Sequence, residues 1–259
     1  MGSARTSEEA VSSRKVLYRE LGPAGAGGHV FRLDAPVVIT IDGPAGTGKS
    51  SVARALARRL GLDFLDTGAM YRAAAAISID RGIPMTDTAR LVETVKQADL
   101  HFDWSKDPPE ILAWGKPLNA RIRDADVTAI VSPVAGIAAL RQHMVAKQRI
   151  MAKQHPRLVS EGRDQGSVVF PDASVKFYLD ASAAVRAARR AAQLRASGQS
   201  ADEAKLLTEI VARDQSDMGR SDGPLVRPRG GVVIDTSDLD FVQVVDELER
   251  VVREKAAEP

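Results

Sequence analysis

Apolar residues follow two alternating patterns along this chain of 259 residues, and the alternation predicts a parallel sheet. Short continuous runs such as Val37–Ile41, rich in β-branched residues, are typical of strands buried on both faces. Longer segments place apolar residues every three or four positions, as in Val52–Leu60, which is typical of amphipathic helices. Strands separated by helices predict an α/β fold with right-handed crossovers. The predicted strands are Val37–Ile41, Asp63–Leu65, Leu158–Ser160, Val175–Leu179 and Gly231–Ile234.

The pattern changes between about residues 85 and 155, where we predict an inserted unit. Three short apolar stretches separated by Pro, Gly and Asp predict a small antiparallel hairpin region, in which Trp104 and Trp114 are expected to be core anchors. Ser132-Pro133 predicts a break between two helices. The predicted helices beyond Val52–Leu60 are Ala69–Arg81, about 86–98, Asp124–Val131, Val134–Gln154, Ser182–Arg195, Asp202–Arg213 and Phe241–Lys255.

Three regions follow from this division of the chain. Residues 36–84 and 156–259 form the predicted core, and residues 85–155 form the insertion. Residues 1–35 are rich in Ser, Gly, Ala and Arg and show little periodicity, so we predict a flexible extension.

A glycine-rich turn joins the first core strand to the first helix and carries the clearest chemical signal. Gly43, Gly48, Lys49 and Ser50 fit G-x-x-x-x-G-K-[ST], the phosphate-cradling P-loop, in the required strand-turn-helix context. Backbone N–H groups and the positive helix end would face a polyphosphate, Lys49 would add a full charge, and Ser50 could offer a hydroxyl to Mg²⁺. The alternative is a glycine-rich turn that binds nothing. The predicted ATP-binding residues are Gly43, Pro44, Ala45, Gly46, Thr47, Gly48, Lys49, Ser50 and Ser51.

Composition narrows the choice of partners. Lys and Arg number 36 against 34 Asp and Glu, and a net charge of +2 gives no reason to expect nucleic acid or an anionic membrane as a partner. No apolar run approaches the ~20 residues of a membrane span. The absence of cysteine excludes disulfides and thiolate metal sites, and agrees with an expected cytoplasmic location. The four histidines lack paired ligand spacing, so we expect no transition-metal site.

Arg72 lies one helical turn beyond the second core strand, in the stretch DTGAMYR. Ligands bind at the carboxyl edge of open α/β sheets, so Arg72 is a candidate phosphate ligand. A solvated helix arginine is the alternative.

Four segments together resemble the bacterial cytidylate kinases, a family of P-loop nucleoside monophosphate kinases. These segments are IDGPAGTGKS, LDTGAMYR, EGRDQGSVVFPDASVKFYLDAS and RDQSDMGR, and the resemblance spans about Val37 to Val252. It implies a three-layer α/β/α fold with a five-stranded parallel sheet of order 2-3-1-4-5. It also implies an inserted domain that binds the nucleoside monophosphate and a lid at about residues 213–224. The implied reaction transfers the γ-phosphoryl group of ATP to CMP or dCMP, with Mg²⁺ as cofactor.

The same resemblance implies roles for individual residues. Arg72 and Arg163 would hold the acceptor phosphate, and Asp217 would contact the sugar. Ser132, Arg141 and Asp164 would read the cytosine edge, whose donors and acceptors these side chains complement. Asp66 and Thr67 complete the implied substrate site, Lys49, Arg163, Arg213 and Arg220 form the implied catalytic set, and Ser50 with Glu161, through water, would hold the metal.

Two other readings remain open at this point. One is a kinase for UMP or another small acceptor. The other is a regulatory module that changes conformation with bound nucleotide, although no N-K-x-D stretch typical of GTPases is present. We expect small-molecule nucleotides as partners and a monomeric protein.

Overall fold

The computed structural model describes residues 19–20 and 32–256, and two sheets organise this part of the chain. The strands are β1 (Arg19–Glu20), β2 (Val37–Asp42), β3 (Asp63–Asp66), β4 (His101–Asp103), β5 (Glu110–Ala113), β6 (Lys116–Pro117), β7 (Arg157–Gly162), β8 (Val175–Asp180) and β9 (Val232–Asp235). The α-helices are α1 (Lys49–Leu60), α2 (Thr67–Asp80), α3 (Thr88–Gln97), α4 (Ala125–Ala135), α5 (Ala138–Gln154), α6 (Ala183–Ala196), α7 (Glu203–Met218) and α8 (Phe241–Lys255).

The larger sheet has the strand order β3-β7-β2-β8-β9-β1. Its first five strands run parallel, which confirms the predicted α/β class and the predicted order 2-3-1-4-5 of the five core strands. The sheet differs from the prediction by β1, which pairs antiparallel with β9. Without β1, the backbone groups on one side of β9 would form an open edge.

The predicted flexible extension, residues 1–35, lies largely outside the described residues. Within it, Arg19–Glu20 forms a strand, with Arg19 opposite Val233 and Glu20 opposite Val232. The predicted flexibility of the extension stays a prediction, and the strand at these two residues is a feature that the sequence did not indicate. The low periodicity around them gave no sign of a pairing that depends on the exposed edge of β9.

Helices cover both faces of the parallel sheet. On one side, α1 and α8 pack together over the apolar side chains of β2, β8 and β9, with Ile39, Leu56 and Leu248 fully buried. On the other, α2 joins the sheet to the insertion through Leu65, Met70 and their neighbours. The carboxyl ends of β2, β3 and β7 therefore meet between these layers, where ligands bind in folds of this class.

The insertion contains the small antiparallel sheet β4-β5-β6, as the hairpin pattern predicted. Trp104 packs against the buried core and stacks on His155, with ring centroids 3.8 Å apart. Trp114 does not anchor this core: it is 43% exposed, and the Arg81 guanidinium lies 4.5 Å from its ring centroid. An exposed tryptophan ring can be stabilised by a cation above its face. The sequence pattern does not distinguish such a tryptophan from a buried one.

The helix boundaries differ most from the predictions at the end of α4, at the start of α5, which begins at Ala138 rather than Val134, and at the end of α7. Helix α4 continues through Pro133 to Ala135, because a proline in the last turn removes only one helical hydrogen bond. The Gly136 N–H then donates to the carbonyls of Ser132 and Pro133. Helix α7 extends five residues beyond its predicted end at Arg213, to Met218. Half of the predicted lid segment is therefore helical.

No single helix in the described ranges is both long and apolar enough to cross a bilayer. The bent pair α4 and α5, which meet at 96°, satisfies that test only when taken together and only by length and composition.

Candidate active site

The glycine-rich turn lies between β2 and α1 and has the geometry of an anion cradle. Gly48 precedes α1 with a φ of 84°, which an L side chain rarely adopts. At Gly43 a Cβ atom would lie 2.1 Å from the Leu179 carbonyl oxygen, so only glycine fits against β8. The turn thus places its own N–H groups and the positive end of a twelve-residue helix at one point.

Lys49 lies inside this turn rather than in solvent. Its Nζ donates to the Pro44 carbonyl at 2.6 Å and to Thr47 Oγ1 at 3.3 Å, and the residue is 5% exposed. Burial, reinforced by the charge of Arg163, lowers the pKa of Lys49 to about 7. A polyphosphate in the turn would supply the negative charge that this buried ammonium lacks.

Two carboxylates and a hydroxyl meet beside the start of α1. Ser50 Oγ donates to Glu161 Oε1 at 2.8 Å. Burial, together with the charge of Asp66, raises the pKa of Glu161 to about 7. No group of three or more His, Cys, Asp or Glu residues suited to a metal ion occurs in the described part of the chain. A hard cation here would therefore need phosphate or water oxygens beside those of Ser50 and Glu161, as Mg²⁺ commonly does.

Asp66 and Thr67 begin α2 at the end of β3. Asp66 caps the helix by accepting from the Ala69 N–H at 2.9 Å, and Thr67 Oγ1 donates to the Glu161 carbonyl at 2.7 Å. Thr67 lines the main cleft of the core, whereas Asp66 faces a second cavity between α1 and the small sheet. Asp66 thus lies outside the lining of the main cleft, but its carboxylate lies beside Glu161, which lines that cleft.

The main cleft brings together residues from α2, α4, α5, the turn after β7 and α7. Nine other predicted residues line it with Thr67: Arg72, Ser132, Arg141, Glu161, Arg163, Asp164, Arg213, Asp217 and Arg220. These positions span some 150 residues of sequence. Only the fold makes them neighbours.

Asp217 lies between two arginines in this cleft. Its Oδ2 accepts from Arg163 Nε at 2.8 Å, and its Oδ1 accepts from Arg220 and lies 3.4 Å from Ser132 Oγ. Although burial opposes ionisation, the charges of Arg163 and Arg220 hold the pKa of Asp217 below its usual range. Asp217 is therefore a fixed anion between two cations.

Arg141 and Asp164 form a second ion pair, almost completely buried. Arg141 Nη1 also donates to the Ala135 carbonyl at 3.1 Å, and its guanidinium lies 5.5 Å from the Tyr71 ring centroid. Burial raises the pKa of Asp164 despite the opposing charge of Arg141. Gly223 packs directly on this pair.

Two further arginines add positive charge and form no ion pair with a carboxylate among the described residues. Arg72 Nη1 donates to Thr128 Oγ1 at 2.9 Å, and burial lowers the pKa of Arg72. The Arg213 side chain makes no hydrogen bond or ion pair with another described residue, and its Nε is buried. Burial, then the charge of Arg163, lowers the pKa of Arg213 to about 10. This surplus of positive charge favours an anionic ligand such as a phosphate.

The sequence patterns did not identify two further candidate functional residues. Asp42, at the end of β2, is fully buried and accepts from the N–H groups of Gln165 at 2.8 Å and Gly166 at 2.7 Å. Arg186 on α6 is buried and donates to the Ala45 carbonyl at 2.9 Å and to Asp214 at 2.6 Å. Both tie the glycine-rich turn to the cleft. The sequence signal that could have identified both residues is a charged side chain within an otherwise apolar strand or helix face.

Comparison with known proteins places these features in a family context. The family model described as cytidylate kinase matches residues 39–254. A protein named cytidylate kinase from Nocardia farcinica is 43% identical over 222 residues, which cover 86% of this chain and 96% of that protein. Proteins of the same name from Symbiobacterium thermophilum and Mycobacterium avium are 44% and 42% identical, covering 83% and 86% of this chain and 95% and 98% of their own.

Proposed function

The chain belongs to the cytidylate kinase family, and from this premise we propose that it transfers the γ-phosphoryl group of ATP to CMP or dCMP, giving CDP or dCDP and ADP. The observation that carries the proposal is the buried Arg141–Asp164 pair, in a cleft rich in arginine next to the glycine-rich turn. A nucleotide base and a phosphate are the two groups that such a cleft would recognise. A role in pyrimidine metabolism, in the cytoplasm and as a monomer, is part of the same proposal.

The acceptor base would be selected by side-chain complementarity. Cytosine carries an exocyclic amino donor beside ring and carbonyl acceptors. The Asp164 carboxylate accepts hydrogen bonds, while Arg141 and the Ser132 hydroxyl can donate them. Asp217 would accept from a sugar hydroxyl, and Arg72 and Arg163 would hold the acceptor phosphate.

The chemistry would depend on positioning and charge neutralisation. An oxygen of the acceptor phosphate attacks the γ-phosphorus of ATP, the bond to the β-phosphate oxygen breaks, and ADP leaves. With a second pKa near ~6, the acceptor phosphate is largely ionised at neutral pH, so no strong general base is required. Lys49, Arg163, Arg213 and Arg220 would counter the charge on the transferring group.

The residues present fit the cofactor that this family uses with ATP. Ser50 Oγ and the Glu161 carboxylate, which already share a hydrogen bond, would hold Mg²⁺ directly and through water. Bound there, Mg²⁺ would neutralise charge on the donor phosphates. The raised pKa of Glu161, caused by burial and by Asp66, fits a carboxylate that awaits a cation.

A panel of acceptors tests the proposal directly. The purified protein is given ATP and Mg²⁺ with CMP, dCMP, UMP or AMP, and ADP production is followed. We expect CMP and dCMP to give the highest kcat/KM. Higher values for UMP or AMP would replace the proposed acceptor. If no monophosphate stimulated ADP production, a regulatory nucleotide-binding module would become the better interpretation.

A further inference from the structure

A buried group of polar side chains lies behind Asp164, on the side away from the cleft. Gln165 follows Asp164 in the turn after β7 and is fully buried, as are Ser160 and Gln148. Gln165 Oε1 accepts from Ser160 Oγ at 2.8 Å. Its Nε2 lies 3.2 Å from Gln148 Oε1 and 3.4 Å from Asp164 Oδ1. The reaction described above uses none of these three neighbours of Asp164.

The neighbours determine which way the Gln165 amide faces. Rotating the amide by 180° would place its carbonyl oxygen against the Asp164 carboxylate and the Gln148 carbonyl oxygen, which are both acceptors. The Ser160 hydroxyl can donate or accept, so it tolerates either orientation. Only the observed orientation lets the Gln165 amide donate to Asp164.

Gln165 therefore supplies the second of two donors to Asp164. Arg141 binds Oδ2 from the cleft side, and the Gln165 amide faces Oδ1 from behind. A carboxylate with a donor on each oxygen is held in one rotational orientation. The hydrogen bonds also favour its ionised form, against the burial that opposes it.

We propose that Gln165 is a positioning residue for base selection, acting through Asp164 to favour an amino group over a carbonyl group on the acceptor base. Cytosine and uracil differ at this point, where cytosine carries an amino donor and uracil a carbonyl acceptor. A carboxylate that is fixed and ionised accepts from the former and repels the latter. The inference rests on the proposed function, because it requires that Asp164 contacts the base.

A purely structural role for Gln165 is the competing explanation. Its Cγ and Nε2 would lie 2.9 Å from a Cβ atom at Gly162, so the side chain fills tightly packed space. A side chain that only fills space would affect stability and overall turnover, but not the ratio of activities on CMP and UMP. Base selectivity therefore separates the two roles.

The test compares Gln165→Leu with Ser160→Ala as a matched control. Ser160→Ala removes only the hydrogen bond from Ser160 to Gln165, whereas Gln165→Leu removes all three contacts of the amide, including the donor to Asp164. We expect Gln165→Leu to lower the CMP-to-UMP ratio of kcat/KM about tenfold, mainly through a higher KM for CMP. Ser160→Ala should leave the ratio within about twofold of wild type. Gln165→Met, which is unbranched and similar in length, replaces Gln165→Leu if that variant does not fold.

A double-mutant cycle shows whether the effect passes through Asp164. In an Asp164→Ala background, adding Gln165→Leu should leave the remaining CMP-to-UMP ratio unchanged. A ratio that falls equally in both backgrounds, or that Ser160→Ala lowers as much as Gln165→Leu, would overturn the inference and leave the proposed function intact. A wild-type protein with no preference for CMP over UMP would overturn both.

Discussion

The donor and acceptor halves of the site are built in different ways. The donor half is nine consecutive residues, 43–51, whose backbone makes the cradle and whose single buried cation is Lys49. The acceptor half takes side chains from five separate elements and holds them in ion pairs, Arg163–Asp217–Arg220 and Arg141–Asp164. The donor half is therefore fixed by local chain geometry, whereas the acceptor half is fixed by tertiary packing and charge.

This difference predicts different consequences of substitution. Changes in the donor half should reduce phosphoryl transfer to every acceptor alike, since the half contains nothing that reads a base. Changes in the acceptor half should alter selectivity and stability together, because its recognition groups are also buried structural ion pairs. Arg213 is the exception, since its side chain has no internal partner among the described residues.

The largest effect is expected from Arg213→Ala. Loss of a cation that counters charge on the transferring phosphoryl should lower kcat about 10³-fold. The thermal midpoint should not fall, because no ion pair is broken and repulsion from Arg163 is relieved. Steady-state kinetics and thermal unfolding measure the two quantities. Arg195→Ala on the exposed end of α6 is the matched control, and turnover within tenfold of wild type for Arg213→Ala would remove Arg213 from the catalytic set.

The next largest effect is expected from Asp164→Asn. The preference for CMP over UMP should fall about 10²-fold, and unfolding should become easier by about 3 kcal/mol because Arg141 loses its buried counter-charge. Lys49→Met provides the contrast from the donor half: kcat/KM should fall for both acceptors by the same factor. Acceptor-dependent loss in Lys49→Met would break the proposed separation of the two halves.

Gly223→Ala should raise the KM for CMP by about tenfold and leave the KM for ATP nearly unchanged. A Cβ atom there would lie 2.0 Å from Arg141 Nη2 and 2.5 Å from Asp164 Oδ2, so the pair must move. Gly230→Ala controls for backbone strain, because Gly230 has a similar φ of 70° but open space around its Cβ position. Equal KM values for the two variants would show that strain, rather than displacement of the ion pair, is responsible.

The same division explains how much could be predicted from the sequence. The glycine-rich turn is contiguous, and the β-branched runs indicated the five parallel strands, so the donor half and the existence of these strands followed from local pattern. The order of the strands in the sheet came from the resemblance, and the structure confirms it. The positions of Arg72, Arg141 and Arg163 around one cleft required the fold. Their roles came from resemblance, and they stay predictions.

Three of the misses, the end of α7, Asp42 and Gln165, share one physical cause. Helix α7 continues to Met218 with Ile210, Asp214 and Asp217 buried on one face, a helical spacing whose members are mostly polar. A search for apolar periodicity therefore ended the helix too early. Asp42 and Gln165 were missed for the same reason, since the burial of a polar side chain depends on partners that are distant in sequence.

Asp42 joins the two halves, and its titration gives the smallest effect. Burial raises the pKa of Asp42 to about 7, above its value in the unfolded chain, even though two N–H groups donate to it. The folded protein thus binds more protons than the unfolded chain between about pH 4 and 7, so this residue's contribution to stability falls as the pH rises through that range. The slope for one group is at most about 1.4 kcal/mol per pH unit.

Urea unfolding of wild type and Asp42→Asn is measured from pH 5 to 8. The free energy of unfolding of wild type relative to the variant should fall up to pH 7 and stay constant above it. Thr40→Val, a buried neutral change on the same strand, should differ from wild type by an amount independent of pH, and the same independence for Asp42→Asn would show that Asp42 is ionised throughout.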